Sequence, residues 1–331
     1  MNVIKLLPGL VLSVAIAFVA VWVENLLPVH LIGGAVIAMF LGMLINHFVG
    51  KNKWLAPGLK FTSKKVLKFA IILLGLSLNI STILHVGRLS LTVMVFTLLT
   101  CFGGGHFIGK ALGLNWKLSN LISAGTGICG GSAIAAAAPA LKAKDGDIAL
   151  ASATVFTLNA VALLIFPWIG RALGFTDSEF GYFAALAIHD TSSVVGASFQ
   201  YGEQALEIGT TVKLARALWI VPVTLFIATF VAPREPGEKR KFKLKVPWFI
   251  PGFIIAAAIV TYVPGTAQVG GFLKEISKYL MVMTLFIIGA NLSRQKLKEL
   301  GIRPLIHGIA LWLILSAVWC LAIHFGWVKT I

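Results

Sequence analysis

A single carboxylate lies deep inside an apolar stretch of this chain. Of the 12 acidic residues, Asp190 is the one well within a long apolar run, where an ionised side chain costs at least about 2.5 kcal/mol at a membrane centre. His189 precedes it, and Thr191, Ser192 and Ser193 follow. Asp190, Thr191 and Ser192 are all favourable N-cap residues, which predicts that a half-helix begins here with its N–H groups facing a cavity. We predict that Asp190 and His189 bind a coupling proton or cation; a purely structural cap or an Asp190–His189 contact is the alternative.

The second chemical feature is an uncharged, glycine-rich stretch, AGTGICGGSAIAAAAPAL at 124–141. Its glycines interrupt a membrane helix, and Ser132 is placed to cap a new half-helix after them. Exposed amides at a helix start bind anions, and glycine lets the backbone approach a ligand closely. Close packing through small residues is the alternative. The predicted substrate-binding residues here are Thr126, Gly127, Cys129, Gly130, Gly131 and Ser132.

Two basic residues, Lys213 and Arg216, lie three positions apart in an otherwise apolar segment, hence on one helical face. Either side chain is a candidate counter-charge to an anionic substrate or to Asp190. Snorkelling to the membrane interface is the alternative for Lys213. Arg216 therefore joins Thr191, Ser192 and Ser193 in the predicted substrate-binding set.

Three asparagines, Asn79, Asn159 and Asn291, are neutral polar groups within apolar segments. Such residues often form interhelical hydrogen bonds rather than ligand contacts. Asn79 and Asn291 occupy related motifs, described below, and we include both among the predicted ion-coupling residues.

The composition is that of a polytopic membrane protein. The 331 residues are 58% hydrophobic and 12% charged, values outside the range of soluble domains. The net charge of +16 does not predict nucleic-acid binding, because the basic residues lie in short linkers between apolar runs. The 3 cysteines show no spacing typical of a disulfide framework or a metal site. No cofactor, metal or nucleic-acid partner is predicted.

Eleven apolar runs are long enough to cross a membrane as helices, which predicts an all-α fold in one domain, 1–331. They lie near 7–23, 31–49, 66–84, 89–109, 120–141, 148–170, 180–200, 208–231, 247–263, 279–293 and 304–327. If 120–141 and 180–200 both re-enter instead of spanning, nine crossings remain and the other assignments are unchanged. The pattern leaves both alternatives open.

Basic residues set the predicted orientation. Linkers rich in Lys and Arg near 51–65, 234–245 and 294–303 fall on one side, which the positive-inside rule makes cytoplasmic. The protein is then expected in a bacterial inner membrane, with its N-terminus in the cytoplasm and its C-terminus in the periplasm. The first segment is expected to be an uncleaved span rather than a signal peptide.

Two faint internal similarities indicate related halves. KKVLKFAIILLGLSLN at 64–79 aligns with KYLMVMTLFIIGANLS at 278–293, in opposite predicted orientations, as in an inverted repeat. SAIAAAAP after Cys129 echoes SVVGASFQ after Asp190, in segments that eleven crossings make parallel. Recurrence of small residues in apolar helices is the alternative explanation.

The strings AGTGICGGSAIAAAAPAL at 124–141 and AIHDTSSVVGAS at 187–198, with LLGLSLN at 73–79 and IIGANLS at 287–293, resemble those of the sulfate exporter (YeiH-type) family of bacterial inner-membrane proteins. That family is placed in the superfamily of bile acid, arsenite and riboflavin transporters. The resemblance implies a panel-and-core architecture with broken helices crossing at the midplane. The superfamily's ten-span plan differs by one from the eleven segments counted here.

These features together predict a secondary active transporter of a small anion, such as sulfate or an organic sulfonate, driven by a proton or sodium gradient. No G-x-x-x-x-G-K-[ST] nucleotide motif occurs. A monovalent cation/proton antiporter using Asp190 is the alternative. An intramembrane hydrolase with a Ser132–His189 dyad is a weaker one, and the chain is not expected to be an enzyme. A homodimer is compatible with the sequence.

Overall fold

The computed structural model describes residues 5–26, 34–49, 54–76, 78–227, 229, 248–263, 266–290 and 301–326. Within these ranges the chain is helical and contains no strand, as the composition predicts. The helices are α1 (Leu7–Leu26), α2 (Gly34–Val49), α3 (Ala56–Phe61), α4 (Leu67–Gly75), α5 (Ile80–Leu99), α6 (Gly105–Ala111), α7 (Trp116–Gly127), α8 (Gly131–Ala140), α9 (Asp145–Ala172), α10 (Asp177–Ala187), α11 (Thr191–Tyr201), α12 (Glu203–Leu218), α13 (Ile220–Phe226), α14 (Phe249–Tyr262), α15 (Thr266–Ala290) and α16 (Ile302–His324). Single π-helical turns at Thr62–Val66 and Thr100–Gly104 join α3 to α4 and α5 to α6.

Five helical segments are long and apolar enough to cross a membrane on their own, among the residues described. They are Leu7–Leu26, Val93–Ala111, Asp145–Ala172, Glu203–Phe226 and Ile302–His324. Shorter apolar helices accompany them, so the chain is a multi-pass membrane protein. In the described ranges each of the eleven apolar runs contains helical structure, and several of them also contain a break.

The predicted boundary of the third run, 66–84, is wrong. The helix ends at Gly75, and a new helix begins at Ile80 because Asn79 acts as its N-cap, its Oδ1 accepting from Ser81 N at 2.8 Å. The Ile80 amide donates to Thr261 Oγ1 of α14 at 3.0 Å. Hydropathy averaged over the break cannot show such a cap.

The glycine-rich run folds back on itself. α7 and α8 form a helical hairpin, hairpin 1 (116–140), whose two open ends lie together: Lys117 Nζ donates to the Lys142 carbonyl at 2.8 Å. Inside it, Gly125 of α7 packs against the side chain of Ile134 of α8. The tip is the turn 128–130.

The run around Asp190 is a second hairpin, hairpin 2 (177–201), built from α10 and α11. At its open end Tyr201 Oη donates to the Phe175 carbonyl at 2.5 Å. The Tyr201 ring stacks on Phe180 with ring centroids 3.8 Å apart. A capping box between Thr176 and Glu179 starts α10. The tip is the non-helical segment 188–190.

Helix α9 joins the two hairpins and sets their relative direction. It runs for 28 residues without a break, about 42 Å at the usual helical rise. Its first residue follows the open end of hairpin 1, and its last residue precedes the open end of hairpin 2. The hairpins therefore open toward opposite ends of α9, with their tips between.

The helices pack as two bundles. A core bundle contains both hairpins with α5, α6, α9, α12, α13 and α16, and a panel bundle contains α1, α2, α3, α4, α14 and α15. Glycines allow close crossings within the panel, where Gly42 of α2 faces the Phe286 backbone of α15 and Gly289 faces that of Met39. Between the bundles, α11 contacts α2 and α15, and α5 contacts α14.

Candidate functional site

The tips of the two hairpins meet, and we call this contact the junction. A Cβ atom on Gly130 would lie 3.2 Å from Asp190 Cβ and 3.3 Å from Asp190 Cα. Gly130 also has φ +70°, a backbone conformation that L side chains rarely adopt. Both the backbone angle and the space available therefore require glycine at the tip of hairpin 1. The sequence predicted the two breaks, and the structure brings them together.

Helix α9 holds the tip of hairpin 2 through one side chain. Asn159 Oδ1 accepts hydrogen bonds from the His189 and Asp190 amides, at 3.0 and 3.1 Å. Asn159 is 3% exposed, so these bonds form away from bulk solvent. Its Nδ2 group has no partner within the described part of the chain, which leaves a buried donor at the junction.

The two outgoing half-helices start differently. In hairpin 2, Asp190 Oδ2 accepts from the Ser192 amide at 2.9 Å and caps α11. In hairpin 1, α8 starts at Gly131 after Gly130, and none of the described side chains caps it. The prediction that Ser132 caps this half-helix is wrong, because Ser132 lies within the first turn of α8 rather than before it. Ser132 in its first turn is exposed, whereas Gly130 is buried. The first amides of α8 thus remain free to bind an acceptor.

Lys213 of α12 is fully buried and binds the end of the incoming half-helix of hairpin 2. Its Nζ donates to the Ile188 carbonyl at 2.6 Å and to the Ala185 carbonyl at 3.3 Å. These carbonyls belong to the C-terminal end of α10, which carries the negative end of the helix dipole. The ammonium group therefore satisfies a broken helix end inside the protein.

Arg216 binds both incoming half-helices at once. Its Nη2 donates to the Gly127 carbonyl at 2.8 Å and the Thr126 carbonyl at 3.4 Å, at the end of α7. Its Nη1 donates to the Leu186 carbonyl at 2.8 Å and to the Ala185 carbonyl, at the end of α10. Since Arg216 is 0% exposed, one guanidinium ties the two hairpins together beneath the tips.

The junction carries excess positive charge. No carboxylate in the described ranges forms a salt bridge with Lys213 or Arg216. Asp190 is the acidic residue at the tips, and within the described ranges the hydrogen bonds of the two basic side chains go to helix carbonyls. Two buried cations beside one carboxylate and the uncapped start of α8 form an environment that favours an anion.

Several predicted residues lie at the junction with unused polar groups. Both ring nitrogens of His189 and Thr126 Oγ1 are buried and lack partners among the described residues. Cys129 and Ser193 are buried, and Thr191 and Ser192 are half-buried at the start of α11. Gly127 packs against Cys101 of the π-helical turn between α5 and α6. The predicted set is thus largely contiguous, although it comes from different hairpins.

Two predicted ion-coupling residues are not placed at the junction. Asn79 is exposed and caps α5, beside Thr261 of α14. Asn291 lies outside the described residues. Conversely, the predicted site residues did not include Lys213 and Asn159. The sequence shows that both are polar residues in apolar segments, but it does not show that they bind the backbone of hairpin 2.

The chain matches the family Conserved hypothetical protein 698 over residues 8–308. It is 45% identical over 302 residues to a UPF0324 membrane protein of Bdellovibrio bacteriovorus, covering 90% of this chain and 89% of that protein. It is 40% identical over 327 residues to a UPF0324 membrane protein of Clostridium tetani, covering 94% of each. No solved structure matches. The chain therefore belongs to the Conserved hypothetical protein 698 family and is a multi-pass membrane protein related to the UPF0324 membrane proteins.

Proposed function

We propose that this protein is a secondary active transporter that moves a small anion, such as sulfate or an organic sulfonate, through the junction. The observation that carries the proposal is the meeting of two broken helices at a buried, positively charged point. Non-helical backbone within a membrane is tolerated where it is buried in protein or lines a watery cavity. Transporters use such breaks to bind solutes near the midplane.

The chemistry of the junction favours an oxyanion over a cation. The free amides at Gly131 and Ser132 are hydrogen-bond donors, and the Ser132 hydroxyl adds another. Lys213 and Arg216 supply positive charge while donating to backbone carbonyls, and Arg216 Nε has no partner among the described residues. An anion in this place would accept hydrogen bonds and gain from the surrounding potential.

We further propose nine membrane crossings and two re-entrant hairpins. With the N-terminus cytoplasmic, hairpin 1 then opens to the cytoplasm and hairpin 2 to the periplasm. Lys142 and Lys144, which follow hairpin 1, move to the cytoplasmic side with Lys110 and Lys117, which strengthens the positive-inside bias. The C-terminus remains periplasmic in this arrangement.

The opposed hairpins also support an inverted repeat. The echo between SAIAAAAP and SVVGASFQ relates α8 to α11, and these are the outgoing halves of hairpins that open toward opposite ends of α9. The two segments are therefore inverted in this arrangement rather than parallel. Alternating access would come from movement of the core bundle against the panel bundle.

A proton or sodium gradient is the proposed driving force, with Asp190 and His189 as the coupling groups. Asp190 is half-buried and is the acidic side chain at the junction. A monovalent cation/proton antiporter remains the second candidate on the basis of this carboxylate. In that case cation-dependent proton flux would occur in the absence of any transported anion.

Uptake of radiolabelled sulfate into proteoliposomes under an imposed pH gradient tests the proposal. We expect uptake that competes with unlabelled sulfate and sulfonates and that falls to background in Gly130→Ala. Gly174→Ala is the matched control, because Gly174 has φ +71° but no neighbouring atom within 4 Å of its would-be Cβ. If the protein takes up no oxyanion but exchanges protons for sodium or potassium in the absence of anions, the proposal is wrong and the protein is a cation/proton antiporter.

A further inference from the structure

A second buried polar cluster lies away from the tips, between α6, α7 and α16. His307, in the second turn of α16, is 0% exposed, and neither ring nitrogen has a hydrogen-bond partner in the described structure. Its ring adjoins the backbone of Ser119 on α7. A neutral imidazole has one donor and one acceptor, and the Ser119 backbone can serve at most one of them, so at least one stays unused at a cost of about 1–3 kcal/mol.

Glycines on α6 bring serine hydroxyls to this histidine. The Cβ position on Gly109 is 3.4 Å from His307 Cε1 and directly against Ser119 Oγ, so both side chains adjoin the same point of α6. One turn along each helix, Gly105 faces Ser123 Oγ in the same way. Ser119 Oγ donates to the Gly105 carbonyl at 2.9 Å. Gly105 and Gly109 therefore leave space on α6 that the hydroxyl groups of Ser123 and Ser119 occupy.

The hydroxyls continue toward the junction along one face of α7. Ser119, Ser123 and Thr126 follow at spacings of four and three residues, which places them on one helical face. All three are buried, and Ser123 Oγ and Thr126 Oγ1 have no partner among the residues described. The Thr126 carbonyl is bound by Arg216 at the junction. We call these three residues the hydroxyl row.

We propose that His307 is a proton-binding group on the cytoplasmic side, and that it exchanges protons with the junction through the hydroxyl row. This inference rests on the proposed function, since it gives the coupling proton a route. A ring nitrogen takes a proton from cytoplasmic water and gives it up again as His307 returns to neutral. Residues three or four apart have Cβ atoms about 5–6 Å apart, so a water molecule between successive hydroxyls completes each transfer. Each hydroxyl accepts one proton at oxygen and releases its own, and rotation about its C–O bond then restores the row.

Other ionisable groups near His307 are cationic or lie at the start of α9. The charged groups at the same end of the core bundle are Lys110 on α6, Lys117 on α7, Asp145 and Asp147 on α9, and Arg303 on α16. Toward the other end of the bundle, His106 lies on α6 and Cys101 in the π-helical turn before it. The remaining ionisable groups on the neighbouring helices are more distant in the sequence of each helix: Arg171 on α9, Asp177, Glu179 and Tyr182 on α10, and Cys320 and His324 on α16. Arg303 is one turn from His307, with a guanidinium nitrogen 3.7 Å from the Cβ position on Gly113. These cations oppose a resting charge on His307, which suits a group that is protonated only transiently.

The first experiment measures the pH dependence of sulfate uptake in proteoliposomes for His307→Gln. Glutamine keeps hydrogen-bonding capacity but does not titrate, so we expect uptake to persist while its change between about pH 5.5 and pH 8 is reduced severalfold. His324→Gln, at the exposed far end of the same helix, is the matched control and should keep the wild-type profile. A wild-type profile in His307→Gln overturns the proposal. No sulfate uptake by any variant counts instead against the proposed function.

The second experiment needs no substrate. In a background with Cys101, Cys129 and Cys320 replaced by serine, His307→Cys should react with a membrane-impermeant thiol reagent added to inverted vesicles, and not in right-side-out vesicles. Leu311→Cys, equally buried one turn along α16, should stay unlabelled from both sides. Absence of cytoplasmic labelling at position 307 would exclude the water access that a proton site requires.

Discussion

Hairpins 1 and 2 meet at their tips, yet they are stabilised in different ways. Hairpin 2 is fastened by side chains: Asn159 binds its tip amides, Lys213 binds its incoming helix end, and Asp190 caps its outgoing helix. Hairpin 1 relies on backbone freedom at Gly130, and Arg216 links it to hairpin 2. The difference fits the two tasks that the proposed function gives the hairpins: hairpin 2 holds a carboxylate in place, and hairpin 1 leaves amides free to accept a ligand.

The largest expected effect comes from Arg216→Met, which removes the link common to both hairpins. Carbonyls at the ends of α7 and α10 would lose their donors in a buried site, at a cost of about 3–5 kcal/mol. We expect a large fall in the thermal unfolding temperature of the detergent-purified protein. Arg171→Met is the control, because Arg171 is exposed and makes one long bond to the Gln200 carbonyl. Equal melting of both variants would show that Arg216 does not join the hairpins.

Asn159→Ala should destabilise hairpin 2 selectively. The His189 and Asp190 amides would lose a shared acceptor, at a cost of about 2–4 kcal/mol. Limited proteolysis should then cut near the hairpin 2 tip sooner than near the hairpin 1 tip. Asn120→Ala, which removes only an exposed bond to the Trp116 carbonyl, should leave the digestion pattern unchanged. Equal acceleration at both tips would mean that α9 supports the hairpins alike.

Gly130→Ala tests whether hairpin 1 depends on its backbone angle. A side chain at φ +70° costs about 1–3 kcal/mol, and here it would also press on Asp190. We expect a lower unfolding temperature together with loss of sulfate uptake. Gly174→Ala should lower the unfolding temperature by less and keep uptake, since it carries the backbone cost alone and nothing lies near its Cβ position. Full activity of Gly130→Ala would remove the tight junction from the mechanism.

The smallest expected changes in stability come from substitutions at the starts of α8 and α11, and they distinguish the role of charge from the role of capping. Asn is as good an N-cap as Asp, so Asp190→Asn should unfold within about 0.5 kcal/mol of the parent, whereas Asp190→Ala should lose about 1 kcal/mol. Both should abolish the response of uptake to an imposed pH gradient. The Ser132 side chain does not cap α8, so Ser132→Ala should leave the unfolding free energy unchanged. It should raise the KM for sulfate about five- to tenfold, because a hydrogen-bond donor to the anion is lost. An unchanged KM would exclude Ser132 from the binding site.

Much of the site was predictable because polar residues and clustered glycines are expensive in apolar helices and therefore stand out. Asp190, His189 and Gly130 lie at the junction. Arg216 was predicted to hold substrate, and that stays a prediction; its hydrogen bonds to backbone carbonyls could not be foreseen, because sequence shows a charge but not its partner. Asn79 was grouped with the ion-coupling residues from an alignment, and the structure places it at a separate helix start.

The amino-acid sequence by itself determined that this is an α-helical membrane protein with many apolar runs, and where two of those runs break. These are local properties, set by hydropathy and by the conformational freedom of glycine. Only the tertiary structure decided that both broken runs fold back, that their tips touch, and that Lys213 and Arg216 bind their ends. Those facts depend on contacts such as Gly130 with Asp190, 60 positions apart in the chain. No local pattern encodes a pairing between distant segments whose partners are backbone atoms common to every residue.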